Sequence, residues 1–526
     1  MRRFISVAAC ALVAQTALAQ SFPTNDSVLR RIWAIGMDSS QTYALAQALL
    51  DSVGPRLTGT PQQKAGVDWL VSRYRAFGIP ARAERYGTWR GWRRGISHVD
   101  LIQPRVRSLE GMMLAWSPGT PRGAAVEATT IIFPSVQSPA EFESWLPQAR
   151  GKLVLLSMAQ PTCRPDENWR QFGDSASFAR MRDQRTEATR AWTQRLLKAS
   201  GDTTSGFAVR TLAPKLEAAG ARGLISHLWS SGWGVDKVFN ARSNQVPTID
   251  LSCEDYGLVY RLTENRQNPV LRIQADAENL GEVPVFNVVA EIKGSQKPDE
   301  YVFLSAHFDS WDGSSGATDN GTGTITMLEA MRILKQVYPS PKRTIIVGHW
   351  SGEEQGLVGS RAFAADHPEI VRGLQALFNQ DNGTGRVVNV SASGLIDATA
   401  NLAGWLAHIP REITRNINFG FVGSPAGGGS DNASFACYGA PAFGLGSLSW
   451  DYGTYTWHTN RDTFDKIVFD DLKNNVVLTA MLAYLASEDP VTVSRTRATI
   501  YNPFTNRPGD WPLCTVPPRK SSEWTR

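Results

Sequence analysis

At 526 residues the chain is too long for one compact core and divides, on length alone, into two or three domains. Hydrophobic residues at 42% and charged residues at 20% exclude a fibrous or disordered chain and describe an ordinary globular one. A formal charge of +5 is nearly neutral for this size and gives no general attraction for nucleic acid.

The first residues, MRRFISVAACALVAQTALAQ, place two arginines before an apolar run and Ala17-Leu18-Ala19 before Gln20. Residues 1–19 are expected to be a secretory signal cleaved after Ala19. Cys10 lies too close to Arg3 to serve as a lipoprotein anchor behind a normal apolar core. Later segments fall short of the roughly 20 apolar residues that span a bilayer. The mature chain is therefore expected to be soluble and exported, periplasmic or secreted, and of bacterial type.

Residues 40–52 have helical periodicity, which Gly54-Pro55-Arg56-Leu57-Thr58-Gly59 breaks; Thr60 and Pro61 then open a second helix that Gly78 stops. Trp89-Arg90-Gly91-Trp92-Arg93-Arg94 is read as a solvated loop with buried indoles rather than a nucleic-acid surface. From about 123 to 277 the chain has its own α/β rhythm. GKLVLLS, RGLISHL and VPTIDLS read as strands, APKLEAAGA as a helix, and a helix is expected from Glu254. FARMRDQRTEATRAWTQRLLKA reads as a charged helix, either a structural arm or a wall over a site. FNVVAEI and YVFLSA follow as strands, and the sheet is expected to resume at about Phe286. Residues 321–337 form a helix with Ile325, Leu328, Met331, Leu334 and Val337 on its core face. A last helix covers 470–487, and a proline-rich tail is expected to be wrapped coil.

Six groups that bind metal or move protons fall where strands end: His307 after YVFLSA, Asp319 in GATDNG, Glu353 and Glu354 after RTIIVGHW, Asp381 after LQALFNQ, and His458 in YTWHTNRDT. Open α/β sheets place ligands at that edge. Zinc takes three protein ligands and leaves a position open, and a carboxylate can bridge two ions. Two zinc ions then need five ligands, and one carboxylate remains to accept a water proton. Asp309 is placed to accept the second imidazole N–H of His307. The other five histidines, His98, His227, His349, His367 and His408, are expected to be structural. No GxSxG motif occurs, which disfavours a serine hydrolase of the α/β-hydrolase type.

The segments HFDSWDGSSGATDNGTG, SGEEQG, SDNASFACYGAPAF and YTWHTNRDT resemble the M28 family of zinc peptidases, and within it the plasma glutamate carboxypeptidase branch and its bacterial relatives. The resemblance implies an α/β fold, a zinc exopeptidase-type three-layer α/β/α sandwich with a mixed sheet. KLEAAGARGLI and VPTIDLS resemble a protease-associated domain inserted into it. The implied division is a signal peptide over 1–19, a discontinuous peptidase domain over 20–122 and 278–490, the insertion over 123–277, and a tail over 491–526. By the same resemblance Asp319 bridges two zincs, His307 and Asp381 complete one site, Glu354 and His458 complete the other, and Glu353 is the general base. A cis peptide is implied at Asp319-Asn320. Tyr452 and Tyr455 are candidates to donate to the oxyanion.

Four cysteines lie beyond the signal and none forms a CxxC pair, so an even count in an exported chain points to disulfides. The implied domains would pair Cys163 with Cys253 and Cys437 with Cys514. Sequons at Asn320, Asn382 and Asn432 lie beside the metal loops or in SDNASF, where a glycan would obstruct the site; this favours a bacterial exported protein. The expected activity is that of an aminopeptidase or dipeptidase on short peptides. The alternatives are a carboxypeptidase on the same site, a one-zinc glutaminyl cyclase, or a non-catalytic binding protein. Expected partners are short peptides and at most a second copy of the chain.

Overall fold

The computed structural model describes residues 24–121, 124–381, 384–501 and 508–525. The expected signal segment and Asn382 lie outside the described residues. Among those described, one mixed sheet of fourteen strands runs through the molecule. Its centre is a parallel set: Arg343–Trp350 beside Lys297–His307, then Leu374–Asn379, then Ala442–Ser447. Val270–Ile292 pairs antiparallel to Arg343–Trp350 on the other side. Buried on both faces, these strands read as continuous apolar runs, as such sheets require.

Alternation along the strands builds three layers. Val288, Ala290, Val302, Leu304, Ile345 and Val347 face one core with the helices Ser27–Asp38, Pro61–Ala76, Thr322–Val337 and Phe469–Glu488. Val289, Phe303 and Ile346 face the opposite core, with Phe363 and Phe435 from the helices Val358–Asp366 and Ala433–Ala436. The expected stripe of Ile325, Leu328, Met331, Leu334 and Val337 is buried. Thr60 caps its helix by accepting the Gln63 N–H at 3.2 Å, with Pro61 in the first position. These elements form the expected sandwich.

The stretch Trp89–Arg94 is strand, not loop. It lies within Ala81–Gln103, which pairs antiparallel with Val270–Ile292 over nearly its whole length. The sheet accordingly resumes at Val270 rather than near Phe286. Register shifts between Arg85 and Gly87, Gly91 and Trp92, and Arg94 and Ser97 interrupt the period of two, so alternation does not show in the residues. The indoles of Trp89 and Trp92 are buried as expected.

Beyond Val270–Ile292 the sheet continues through Val126–Ile132, Leu153–Leu155, Gly223–Ser226, Thr248–Leu251 and Gly111–Met113. Ser252 caps Cys253–Glu264. The charged helix Ser175–Ser200 packs on Ser205–Ala218 and Pro139–Trp145, and its Trp192 and Leu196 enter a separate core with Phe133 and Phe142. It lines neither of the two chambers beside the metal-binding groups. Disulfides join Cys163 to Cys253 and Cys437 to Cys514. The tail is not wholly coil: Ile500–Tyr501 pairs with Pro508–Gly509, and Ser521–Thr525 forms a short helical turn. Among the described residues no helix is long and apolar enough to cross a membrane.

Candidate metal centre

Parallel register gathers the polar groups at one sheet edge. Trp350 lies opposite His307 and Asn379 opposite Ser305, so His307, the Glu353-Glu354 pair and Asp381 emerge side by side as their strands end. Asp319 comes from the turn Ala317–Gly321, which enters the helix Thr322–Val337 and holds the expected cis peptide at Asp319-Asn320. Side chains tie these loops together. Asn320 Nδ2 donates to the Gln380 carbonyl at 2.8 Å, and Thr324 Oγ1 to the His307 carbonyl at 2.9 Å.

The five expected ligand residues fall into two triads that share one member: His307, Asp319 and Asp381, and Asp319, Glu354 and His458. His307 Nε2 lies 3.3 Å from Asp319 Oδ1 and 3.3 Å from Asp381 Oδ1. His458 Nε2 lies 3.2 Å from Asp319 Oδ2 and 3.0 Å from Glu354 Oε2. Each oxygen of Asp319 thus faces a different imidazole. Metal–donor bonds of about 2.0–2.2 Å at tetrahedral angles separate two donors by about 3.3–3.6 Å, close to these spacings. Imidazole nitrogen with carboxylate oxygen is also a donor set that suits zinc. The residues present fit a pair of metal ions.

The electrostatics are those of an acidic cluster held together by two imidazoles. Burial opposes charge on His458, but Glu354 and Asp319 outweigh it and raise its pKa to about 9. His307 is likewise raised well above its usual value, with Asp381 and Glu353 overcoming burial. Burial pushes Glu354 up to about 7 against the opposing charge of His458. Glu353 is raised further: burial acts first, His307 opposes it, and Asp381, Asp431 and Glu354 add to it. Asp319 is displaced downward because the hydrogen bonds from both histidines outweigh its burial.

Asp309 is fully buried beside His307, but its backbone carbonyl, at 3.1 Å from Nδ1, lies nearer than its carboxylate at 3.5 Å. The carboxylate also accepts from Thr58 Oγ1 and the Glu353 N–H. The two candidate tyrosines separate. Tyr452 faces the cluster, and burial followed by Asp319, Asp381 and Glu354 raises its hydroxyl pKa well above the usual value. Tyr455 instead packs its ring against Gly232, where a Cβ would meet it at 2.8 Å. Of the five histidines expected to be structural, His367 meets two carboxylates, Glu84 at 2.8 Å and Glu369 at 3.2 Å, away from the site.

Several residues around the cluster were not singled out in the sequence, although Asp462 and Asp431 lie within the segments YTWHTNRDT and SDNASFACYGAPAF. Arg56, fully buried, donates to the carbonyls of Gly54, Phe308, Ser315 and Gly316 and so ties the segment around residue 54 to the loop that carries Asp309. Asp462 accepts the backbone N–H groups of Thr318 and Asp319. Asp431 is buried beyond Asp381, with burial raising it to about 7. From the neighbouring region, the Val238 N–H donates to the His458 carbonyl at 2.7 Å and Lys237 Nζ to that of Trp457 at 2.8 Å. Phe239 meets the His458 ring edge-on at 4.9 Å. The residue types are ordinary, and only the fold brings them here.

Two chambers flank the cluster. One, of about 400 Å³, opens beside Asp381 and is lined by Asn379, Asn389, Ser430 and Asn432. The other, of about 420 Å³, opens beside Glu354 and His458 and is walled by Phe239, Trp116 and Trp311.

Residues 287–483 match the model of peptidase family M28. The chain is 26% identical over 437 residues to carboxypeptidase Q of Xenopus laevis, covering 81% of this chain and 82% of that protein. A peptidase M28 precursor from Shewanella amazonensis superposes with a TM-score of 0.65 at 24% identity, over 89% of this chain and 97% of the other. BSAP, a zinc aminopeptidase from Bacillus subtilis, gives 0.54 at 19% identity, over 87% and 96%. Both share the α/β sandwich. Residues 287–483 thus resemble peptidase family M28, and these relatives support a metallo-exopeptidase.

Proposed function

We propose that the protein is a two-zinc exopeptidase that acts on short peptides with a free amino end, as an aminopeptidase or dipeptidase. The observation that carries this is the pair of donor triads sharing Asp319 at the sheet edge. His307 and Asp381 would hold one zinc, Glu354 and His458 the other, and Asp319 both. The ions would supply Lewis acidity, lowering the pKa of a water and polarising the scissile carbonyl.

The chain's own groups do the rest. Glu353 is not needed by either triad, so its carboxylate is free to accept the water proton and pass it to the leaving amine. The Asp309 carbonyl and carboxylate orient His307 so that Nε2 faces the ligand site. Tyr452, held neutral by burial and then by the surrounding carboxylates, keeps its proton and can donate it in a hydrogen bond to the oxyanion. The chamber beside Asp381 offers amide and carboxylate oxygens as acceptors for an ammonium.

Region 123–277, read as a protease-associated insertion, walls the opposite side through Phe239 and so limits access to a chain end. Export through residues 1–19, to the periplasm or beyond, belongs to the same reading. The test compares one dipeptide, its N-acetylated form and its C-terminal amide. The free dipeptide should react far faster than the acetylated one, because blocking the amine leaves its acceptors unpaired. Equal rates for those two would end the amino-end reading, and loss only on amidation would indicate carboxypeptidase action.

A further inference from the structure

The chamber beside Glu354 and His458 contains three guanidinium groups contributed from distant parts of the chain. Arg90 lies on the strand Ala81–Gln103, Arg210 on the helix Ser205–Ala218, and Arg242 in the loop following Phe239. Among the described residues, none of the three forms an ion pair or donates a side-chain hydrogen bond to the protein. Arg90 stacks 4.4 Å over the Trp116 ring, and Arg210 lies 5.4 Å from the Phe207 ring, where arginine can rest without an anion.

They also repel one another. Burial and then Arg242 push Arg90 down to about 10, and burial and then Arg210 push Arg242 to about 10. Like charges converging on a concave, partly desolvated space favour an anion there. A second observation points to an occupant: Gln355 lines the same chamber, is only 4% exposed, and neither end of its amide finds a hydrogen-bond partner in the protein. The Trp311 N–H is in the same position. Buried polar groups without partners are uncommon unless something else satisfies them.

We propose that this chamber is a carboxylate-binding subsite and that the enzyme selects short peptides carrying a carboxylate next to the scissile bond. The carboxylate is either the α-carboxylate of a dipeptide or the side chain of an acidic residue. Guanidinium forks match carboxylates bidentately, and three of them exceed what a single neutral side chain would use. The chamber adjoins Glu354 and His458, so its occupant would lie directly beside the bond being cleaved. The inference rests on the peptidase reading above, and it specifies which peptides that site prefers.

The test is a substrate series on zinc-loaded protein: Ala-Glu, Ala-Gln, Ala-Gln amide, and the pair Glu-Ala and Gln-Ala. Removing the carboxylate that the chamber binds should lower kcat/KM by about 10- to 100-fold, the factor a charge-assisted hydrogen bond supplies. A loss from Ala-Gln to its amide assigns the α-carboxylate, and a loss from Glu to Gln assigns the side chain and its position. In Arg90→Gln and Arg242→Gln the same loss should shrink to within about twofold. Should either variant fail to fold, the wild-type series decides alone.

Hydrolysis of all five peptides at rates within about twofold would overturn the inference and leave the peptidase reading intact. If protein of verified metal content hydrolyses none of them, the peptidase reading fails, and calorimetry on Glu353→Gln protein decides the subsite. There glutarate should bind at least tenfold more tightly than glutaramide, and the added Arg90→Gln change should remove that difference. Equal binding of the two, or binding of neither, would overturn the inference.

Discussion

Asp462 holds Asp319 by its backbone: Oδ2 accepts the Asp319 N–H at 3.0 Å while Oδ1 accepts the Thr318 N–H at 2.7 Å. It follows His458 closely in the chain, so one carboxylate couples the loop that carries His458 to the turn that carries the shared Asp319. Asp462→Asn replaces one acceptor with an NH2 group that faces a donor. Zinc affinity should fall by about 10- to 100-fold, the usual effect of losing a group that orients a ligand. The check is competition with a chelator of known affinity, and an unchanged affinity would show that Asp462 only supports the fold.

The adjacent glutamates should separate cleanly. Glu353→Gln keeps the shape but cannot take a proton, so kcat should fall by about 10² to 10⁴ while metal content persists. Glu354→Gln removes a donor that lies 3.0 Å from His458 Nε2, and metal should be lost instead. Metal analysis alongside dipeptide turnover distinguishes them, and the opposite pattern would reverse the assignment within the pair.

The sequence revealed His307, the glutamate pair and Asp381 because each sits where an apolar strand gives way to polar residues. Asp319 lies instead in the turn Ala317–Gly321, and His458 follows the helix Tyr452–Tyr455, so the expectation of strand ends fails for those two. Asp462, Arg56 and Asp431 had no such signature. Their importance comes from contacts with residues far away in the chain, such as Arg56 with Phe308 and Gly316. The strand Ala81–Gln103 was misread because repeated register shifts break its alternation and its arginines resemble a solvated loop. The chamber arginines were legible only singly, since Arg90, Arg210 and Arg242 belong to three separate segments.

His349 gives a pH prediction with a definite sign. It is fully buried, its Nε2 lies 2.6 Å from the Tyr74 hydroxyl, and burial lowers its pKa from 6.5 to about 3. Below pH 6.5 the unfolded chain binds a proton there that the folded chain refuses, so the stability it contributes is present above 6.5 and lost as pH falls toward 3. Relative to His349→Gln, the wild type should lose about 2 kcal/mol between pH 7 and pH 5. Denaturant unfolding of both proteins at each pH measures this, and a stability difference that stays constant would contradict it.

The two disulfides close long segments, with sequence separations of 90 and 77 residues. Replacing both cysteines of either pair by serine should cost about 2–5 kcal/mol. The pairs should differ in where the damage appears. Cys437–Cys514 anchors the tail whose Ser521 and Ser522 line the arginine chamber, so its loss should open the tail to proteolysis near residue 514. Loss of Cys163–Cys253 should leave the tail protected, and limited proteolysis with mass analysis reads the difference.

Zinc titration of chelator-stripped protein, followed by both calorimetry and dipeptide hydrolysis, tests the two-ion centre most directly. The two triads sharing Asp319 predict that the stripped protein is inactive, that binding saturates at about two zincs per chain, and that hydrolysis recovers fully only as the second is taken up. Saturation at one zinc with full activity, or hydrolysis by the stripped protein, would contradict it.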